Sequence, residues 1–265
     1  MSILYYLIVL SLSSETTPGI TLENYRFVLL SEDFVTAFKN TFLFVLAGTP
    51  LELIFGLILA LIVWKSFPGR GFVRSIFIIP LAIPTIVTAT ILFILFNYPT
   101  GHINDLFTGR FDFFPVIFNA PINWRNNPLL AMGVSMFGKV WRDMPISMLI
   151  LLAGLNAIDR RQYDAAETMG AGTLTKFRYI TLPCILPAVG TVILMRSIEM
   201  WKEFIFPFIL APSYLLLGTY IEYLDRRNFP ERASVVALIL LVCVLFSSIL
   251  SYVILKQLRS RLFRI

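Results

Sequence analysis

The chain has 265 residues, of which 57% are hydrophobic and only 14% charged, with a mean hydropathy of +0.80 and a formal net charge of +6. A soluble domain carries about 25% charged residues, so this composition excludes one and places the chain in a lipid bilayer. The basic excess shows no interleaving with stacking aromatics of the kind nucleic acid needs, and no nucleic-acid partner is expected. Lysines and arginines that hold loops on the cytoplasmic side account for it.

Residues 3–12 (ILYYLIVLSL) come first in the chain. About ten apolar residues make about 15 Å of helix at 1.5 Å each, too short for a hydrocarbon layer of about 30 Å. No basic segment precedes them and no small-residue cleavage site follows, so they do not read as a signal peptide. The expectation is a truncated first transmembrane helix whose start lies upstream of Met1, followed by an extracytoplasmic segment, the two together occupying residues 1–36. Five runs are long enough to span: residues 41–64, 75–96, 129–158, 185–210 and 233–255. They predict an all-α polytopic helix bundle over residues 37–255, with five full spans, and a basic tail at 256–265. Glu52, just after Pro50 in the first of these runs, is expected to face inward. Pro80 and Pro84 are expected to bend the second run, and Pro145 to kink or break the third.

The segment 65–74 carries three basic residues and no acid, and the tail 256–265 carries four and no acid. Both are therefore expected in the cytoplasm. Alternation through five spans puts residues 13–40, 97–128 and 211–232 outside, and residues 159–183 inside.

That inner segment reads YDAAETMGAGTLTKFRYITLP from Tyr163 to Pro183. Asp159 followed by Gln162 suits a capping box at a helix start. A short helix should run from Arg160 through Tyr163, Asp164, Ala165, Ala166 and Glu167 to Gly170, the residue best able to end it in a left-handed conformation. Thr173 is expected to cap a second short helix through Tyr179, and Pro183 to begin the next membrane segment. Periodicity alone allows either a packed connector or a stiff projection built to dock.

A longer pattern runs through the same residues. An acid and two alanines at Asp164, Ala165 and Ala166 are followed, after three residues, by Gly170. Ile180 comes after nine more, then Leu182 and Pro183. This pattern resembles the EAA motif of the permease subunits of bacterial and archaeal ABC importers, with Asp164 where the family usually has Glu. Residues 40–63, 70–84, 122–124 and 148–158 are similar to the carbohydrate-uptake branch, and the resemblance covers the chain from about Tyr25 to its end. The glycine-rich segment common after the fifth helix in that branch is replaced here by LAPSYLLLG at 210–218.

The resemblance implies a type I permease fold, with residues 37–255 as the ABC transmembrane domain, in the inner (cytoplasmic) membrane with a cytoplasmic C-terminus. It also implies a second, related permease in a heterodimer, two ATPase subunits and an extracytoplasmic solute-binding protein, with a sugar or sugar-like solute as cargo. Tyr163, Asp164, Ala165, Ala166, Gly170, Ile180, Leu182 and Pro183 would then belong to the helix that couples to the ATPase. No G-x-x-x-x-G-K-[ST] signature occurs in the chain. ATP and magnesium would therefore be bound by the partner ATPase, with no cofactor in this chain.

Charges inside the spans form a second feature. At the bilayer centre each costs about 2.5 to 3.5 kcal/mol on insertion scales. Spacings of three and four put Arg196, Glu199 and Glu203 on one helical face with Lys202 near it, and Trp201 could stack on a sugar ring. They serve either as pairs that hold the bundle or as a polar wall of a translocation path. Lys139, Arg142 and Asp143 read as a mutually neutralised cluster. An enzyme is disfavoured: no H-E-x-x-H, G-x-S-x-G or metal-ligand spacing is present, and the single histidine, His102, falls in an outer turn. A secondary transporter should show two corresponding halves, which are not evident. That class, a channel, and an ABC importer for a non-sugar solute stand as the alternatives.

Overall fold

The computed structural model describes residues 3–13, 20–111 and 113–262. Residues 14–19, part of the expected extracytoplasmic segment, and 263–265, the end of the basic tail, lie outside the described residues. Among the described residues every regular element is a helix.

α1 (Ile3–Ser11) has nine residues, in keeping with its short apolar run, and α2 (Glu23–Leu30) follows. α3 (Glu32–Trp64) starts where Ser31 Oγ accepts the Phe34 N–H at 3.3 Å and two acids, Glu32 and Asp33, meet the positive helix end. It runs straight through Pro50 for 33 residues.

The run at 75–96, expected as one span, is instead two helices, α4 (Arg70–Ala82) and α5 (Thr85–Leu95), meeting at 93°. A residue before proline is pushed out of the helical region, and Ile83 before Pro84 is where α4 has stopped, whereas Pro80 sits within α4. α6 (His102–Phe107) begins with an exposed His102. α7 (Pro128–Asn156) has Asn127 Oδ1 accepting the Leu129 N–H at 2.9 Å and proline at its first position. It continues unbroken through Pro145, so of the kink or break expected there the break does not occur.

Beyond it lie α8 (Arg160–Thr168), α9 (Thr173–Lys176), a π-helical segment at Phe177–Thr181 and α10 (Leu182–Trp201). α9, the π segment and α10 form one uninterrupted run, Thr173–Trp201. Pro183 therefore does not open a separate helix, and Gly172 rather than Thr173 occupies the cap position. The π widening lies one turn before Pro183, whose ring clashes with the carbonyl four residues back in a regular helix.

The expected span 185–210 is also broken. α10 stops at Trp201, and α11 (Ile205–Leu210) starts after the Glu203 carboxylate has accepted the Phe206 N–H at 3.1 Å, a local bond that competes with the helical ladder. α12 (Leu217–Arg226) ends near Asn228 at φ 59°, and α13 (Pro230–Leu262) again has proline first. Among the described residues, three single helical runs are long and apolar enough to cross a membrane, Glu32–Trp64, Thr173–Trp201 and Pro230–Gln257, or four spans if the bent pair counts as one. α7 has the length, at 29 residues, but carries Lys139, Arg142 and Asp143 in its middle.

The described residues fall into two compact units, and α3, α7, α10 and α13 supply residues to both. The first unit comprises residues 1–46, 83–139 and 200–243. Ala89, Leu92, Val134, Phe206 and Leu210 form a core in it. Gly138 permits the approach of α5 and α11 there: a Cβ at that position would sit 2.5 Å from Leu92 Cδ1 and 2.8 Å from Phe206 Cδ1. Outside α5, buried Asn104 donates to the carbonyls of Asn97 and Ile122 at 3.1 and 3.0 Å. It also accepts from Ile122 N and Trp124 Nε1, both at 3.0 Å.

The second unit comprises residues 47–82, 140–199 and 244–265. Its core takes Met148, Leu151, Leu152 and Leu155 from α7 and Ile185, Val189 and Val192 from α10, both at helical spacing, against Ala60 and Val63 of α3. Glycines set the helix separations: a Cβ on Gly154 would lie 2.7 Å from Ala188 Cβ, and one on Gly56 2.6 Å from Ser147 Cβ.

Candidate functional site

In the second unit, α8 and the turn after it stand out because none of their residues is buried. Asp159 caps α8 as expected, its carboxylate accepting the Arg161 N–H at 2.9 Å. The reciprocal half of the expected box is replaced, since Gln162 Oε1 accepts from Cys184 Sγ at 3.6 Å. The helix ends in a Schellman turn. Gly170 N–H bonds Glu167 O and Ala171 N–H bonds Ala166 O, each at 2.9 Å, and Gly170 holds φ +78°. Across the turn, Lys176 Nζ reaches Glu167 Oε2 at 3.2 Å.

Tyr163 is the member of the motif that ties α8 down. Its hydroxyl shares a 2.8 Å hydrogen bond with Thr181 Oγ1, and its ring lies 5.6 Å from that of Trp64. Asp164 and Ala165 are exposed and Ala166 is half-buried. Ile180, Leu182 and Pro183 lie half-buried along the π segment and the start of α10. Thus the first half of the motif forms a presented surface and the second half forms its anchorage.

Sequence reasoning missed three contributors to that surface: Met169 at 87% exposure, Leu174 at 79% and Tyr179 at 66%. Met169 lies in the turn after α8, Leu174 on α9 and Tyr179 on the π segment. Sequence reasoning also missed Thr181, 3% exposed, whose bond to Tyr163 spans 18 positions and has no local signal.

The buried charges do not form the single face expected of them. Arg196 is fully buried on α10, with Nη1 2.7 Å from Glu199 Oε2 and Nε 3.4 Å from Glu52 Oε2. Glu52 therefore faces inward as expected. Glu203, however, falls two residues past the end of α10 and in the first unit, where it pairs with Lys139 at 3.2 Å. Helical spacing stops applying once the helix stops, and Lys202 between them is exposed. Lys139 is thus joined to Glu203 as well as standing near Arg142 and Asp143 in sequence, and the last two form their own ion pair. Trp201 is 5% exposed and packs against Phe38 with ring centroids 6.3 Å apart, so its ring is covered in this conformation.

Comparison with known proteins fits this geometry. A family model described as "Binding-protein-dependent transport system inner membrane component" matches residues 52–264. The trehalose/maltose transport system permease protein MalF of Thermococcus litoralis is 34% identical over 187 residues, 71% of this chain and 61% of that one. The sulfoquinovosyl glycerol transport system permease protein SmoG of Agrobacterium fabrum is 30% identical over 232 residues, 84% of this chain and 73% of that one. The match to the first of these, and to a probable ABC transporter permease protein y4oQ of Sinorhizobium fredii, thus spans about three fifths of the relative's length, 61% and 57%. Among solved structures, a bacterial alginate ABC transporter in complex with an alginate pentasaccharide-bound periplasmic protein has a chain that superposes with a TM-score of 0.84. It covers 98% of this chain and 90% of that one at 18% identity, a likeness of fold. With the capped helix, its glycine turn and the membrane helices in place, the chain belongs to the family of binding-protein-dependent transport system inner membrane components.

Proposed function

We propose that the chain is the transmembrane permease subunit of an ATP-binding-cassette importer for a sugar or sugar-like solute. The observation that carries this is the α8 element: a capped helix with a rigid Schellman turn, presenting Asp164, Ala165 and exposed apolar side chains while Tyr163 fastens it to the π segment ahead of α10. Such an object passes a push on α8 into a membrane-crossing helix. Ala165 and Ala166 are small enough for close approach to a groove on the ATPase, and Gly170 fixes where the helix stops.

In this reading Tyr163, Asp164, Ala165, Ala166, Gly170, Ile180, Leu182 and Pro183 make up the coupling element. ATP and magnesium bind to two separate ATPase subunits, whose closure rocks the helices and alternates access to one site. A second permease completes the membrane part, and an extracytoplasmic binding protein delivers the solute, in line with the family's description. The named cargo of two relatives, trehalose/maltose and sulfoquinovosyl glycerol, supports a glycosidic solute. The basic segment 65–74 and the basic tail face the cytoplasm with α8. Five spans are reached by counting α7 and the bent pair. Arg196, Glu199 and Trp201 on α10, with Glu203 two residues past its end, line part of the path once the helices rock.

Uptake of a panel of labelled disaccharides and glycosides into cells expressing the complete operon tests the reading. Uptake should persist with an ionophore that collapses ion gradients and stop when ATP is depleted. Uptake that follows the ion gradient and ignores ATP overturns it.

A further inference from the structure

We propose that the polar cavity beside Trp64 holds the phosphodiester headgroup of an anionic phospholipid. The cavity, of about 510 Å³, lies within the second unit and is bordered by Trp64, Lys65, Arg70, Arg160, Asp164 and Glu167. This size lies within the range of about 300 to 1,000 Å³ seen for ligand pockets.

Its level in the membrane follows from α3. Trp64 is the last residue of a helix of spanning length, so the cavity opens where hydrocarbon gives way to headgroups, the depth at which indole rings settle. Below it, Ile54, Ile58 and Ile62 recur every fourth residue and are 52%, 47% and 43% exposed. They form an apolar stripe on α3 that ends about 3 Å below the level of Trp64, the rise of two residues, on a different face of the helix.

Charge selects the headgroup. Lys65, Arg70 and Arg160 bring three cations to the cavity, and among the described residues none of them is in an ion pair. Of the two carboxylates at its wall, Glu167 is already held by Lys176 at 3.2 Å. One acid is left against three cations, an imbalance that a phosphodiester offsets. Basic pockets next to membrane helices collect anionic headgroups for this reason. A zwitterionic lipid would bring its own cation and gain less. The inference needs only the membrane placement of α3, and its cavity shares Tyr163 and Asp164 with the proposed coupling element.

The test uses the full-length chain purified in mild detergent, with native mass spectrometry counting retained lipid after titration with phosphatidylglycerol or phosphatidylcholine. The wild type should retain phosphatidylglycerol preferentially. The double variant Lys65→Gln/Arg70→Gln should lose about 30-fold in retention, and Arg70→Lys should keep it. Arg178→Gln, which removes an exposed cation away from the cavity, should match the wild type. Brominated phosphatidylglycerol should quench tryptophan fluorescence, and the quenching should fall in Trp64→Phe, a readout independent of the charge variants. Equal retention in the double variant, or equal loss in Arg178→Gln, overturns the site. Competition by inorganic phosphate at the same concentration assigns the cavity to free phosphate and overturns the lipid. Loss of ATPase recovery in the double variant with unchanged lipid retention assigns it to a protein partner and also overturns it.

Discussion

Two glycines in one turn offer a controlled test of α8 as a lever. Gly170 and Gly172 are both exposed, and a Cβ added at either meets nothing within 4 Å. They differ in backbone: Gly170 holds φ +78°, while Gly172 holds φ −70° and ψ 168°, a conformation any residue adopts. Valine at Gly172 is therefore expected to change little. Valine at Gly170 meets no clash with a neighbour, so its penalty is the left-handed backbone alone, about 1 to 2 kcal/mol. That shifts the closed turn against its opened forms by a factor of about 5 to 30, and weakens the two 2.9 Å bonds that Gly170 and Ala171 donate back to α8. A bundle held by long apolar helices tolerates this, but a docking element that must keep its shape under load does not. The assay is initial uptake per membrane-inserted subunit, together with the amount of ATPase recovered when this chain is purified. Gly170→Val should insert normally, with uptake and ATPase recovery lowered about 5- to 30-fold, and amides 170 and 171 should exchange faster with solvent. Equal, near wild-type uptake in Gly170→Val and Gly172→Val would refute the reasoning, because the left-handed turn would then be irrelevant to coupling.

Other predictions address the frame around that lever. Glu52→Gln removes a fully buried partner of Arg196, a change that typically costs about 3 to 5 kcal/mol, and should lower subunit abundance in the membrane. Glu199→Gln, whose side chain is 35% exposed, should keep abundance and alter transport; normal abundance in both variants would remove the structural role from Glu52. Gly154→Ala should destabilise the bundle by about 1 to 3 kcal/mol through overpacking, since its Cβ would lie 2.7 Å from that of Ala188. Ala188→Gly should restore the melting temperature in the double variant, and additive losses would argue against that contact. Asn104→Ala leaves the Ile122 and Trp124 donors without their acceptor, at about 1 to 3 kcal/mol each, so protease should cut segment 97–128 faster while insertion stays normal. Unchanged cleavage would mean that Asn104 does not organise that segment.

The parts of the site that were readable in the sequence are those written in neighbouring residues. Asp159 caps because its carboxylate reaches a backbone N–H two positions on, and Gly170 turns because left-handed angles favour a residue without Cβ. Arg196 and Glu199, three apart on α10, met as helical spacing requires. The same spacing misplaced Glu203, because nothing local announced that α10 ends at Trp201. Past that end, Glu203 accepts the Phe206 N–H and pairs with Lys139, which is distant in the chain. Two prolines signalled the bend in residues 75–96 without ranking themselves: the helix continues at Pro80 and stops before Pro84. Glu52 with Arg196, and Tyr163 with Thr181, are pairings made by packing, and no periodicity contains them.

The π segment at Phe177–Thr181 has a bearing on alignment. A helix turns about 100° per residue, so a single residue more or fewer between Gly170 and α10 swings every later side chain by more than a quarter turn. The wide turn takes up one surplus residue where Thr181 is pinned by Tyr163, and so lets two demands be met at once. The chain keeps the interval from Asp164 to Pro183, which contains the wide turn, and downstream Ile185, Val189, Val192 and Arg196 are still buried. Removing one residue from 177–181 would shorten the interval from Asp164 to Pro183 by one: closing the wide turn to a regular one would leave α10 facing as it does now, whereas keeping it wide would turn the apolar side of α10 and its arginine by about 100°.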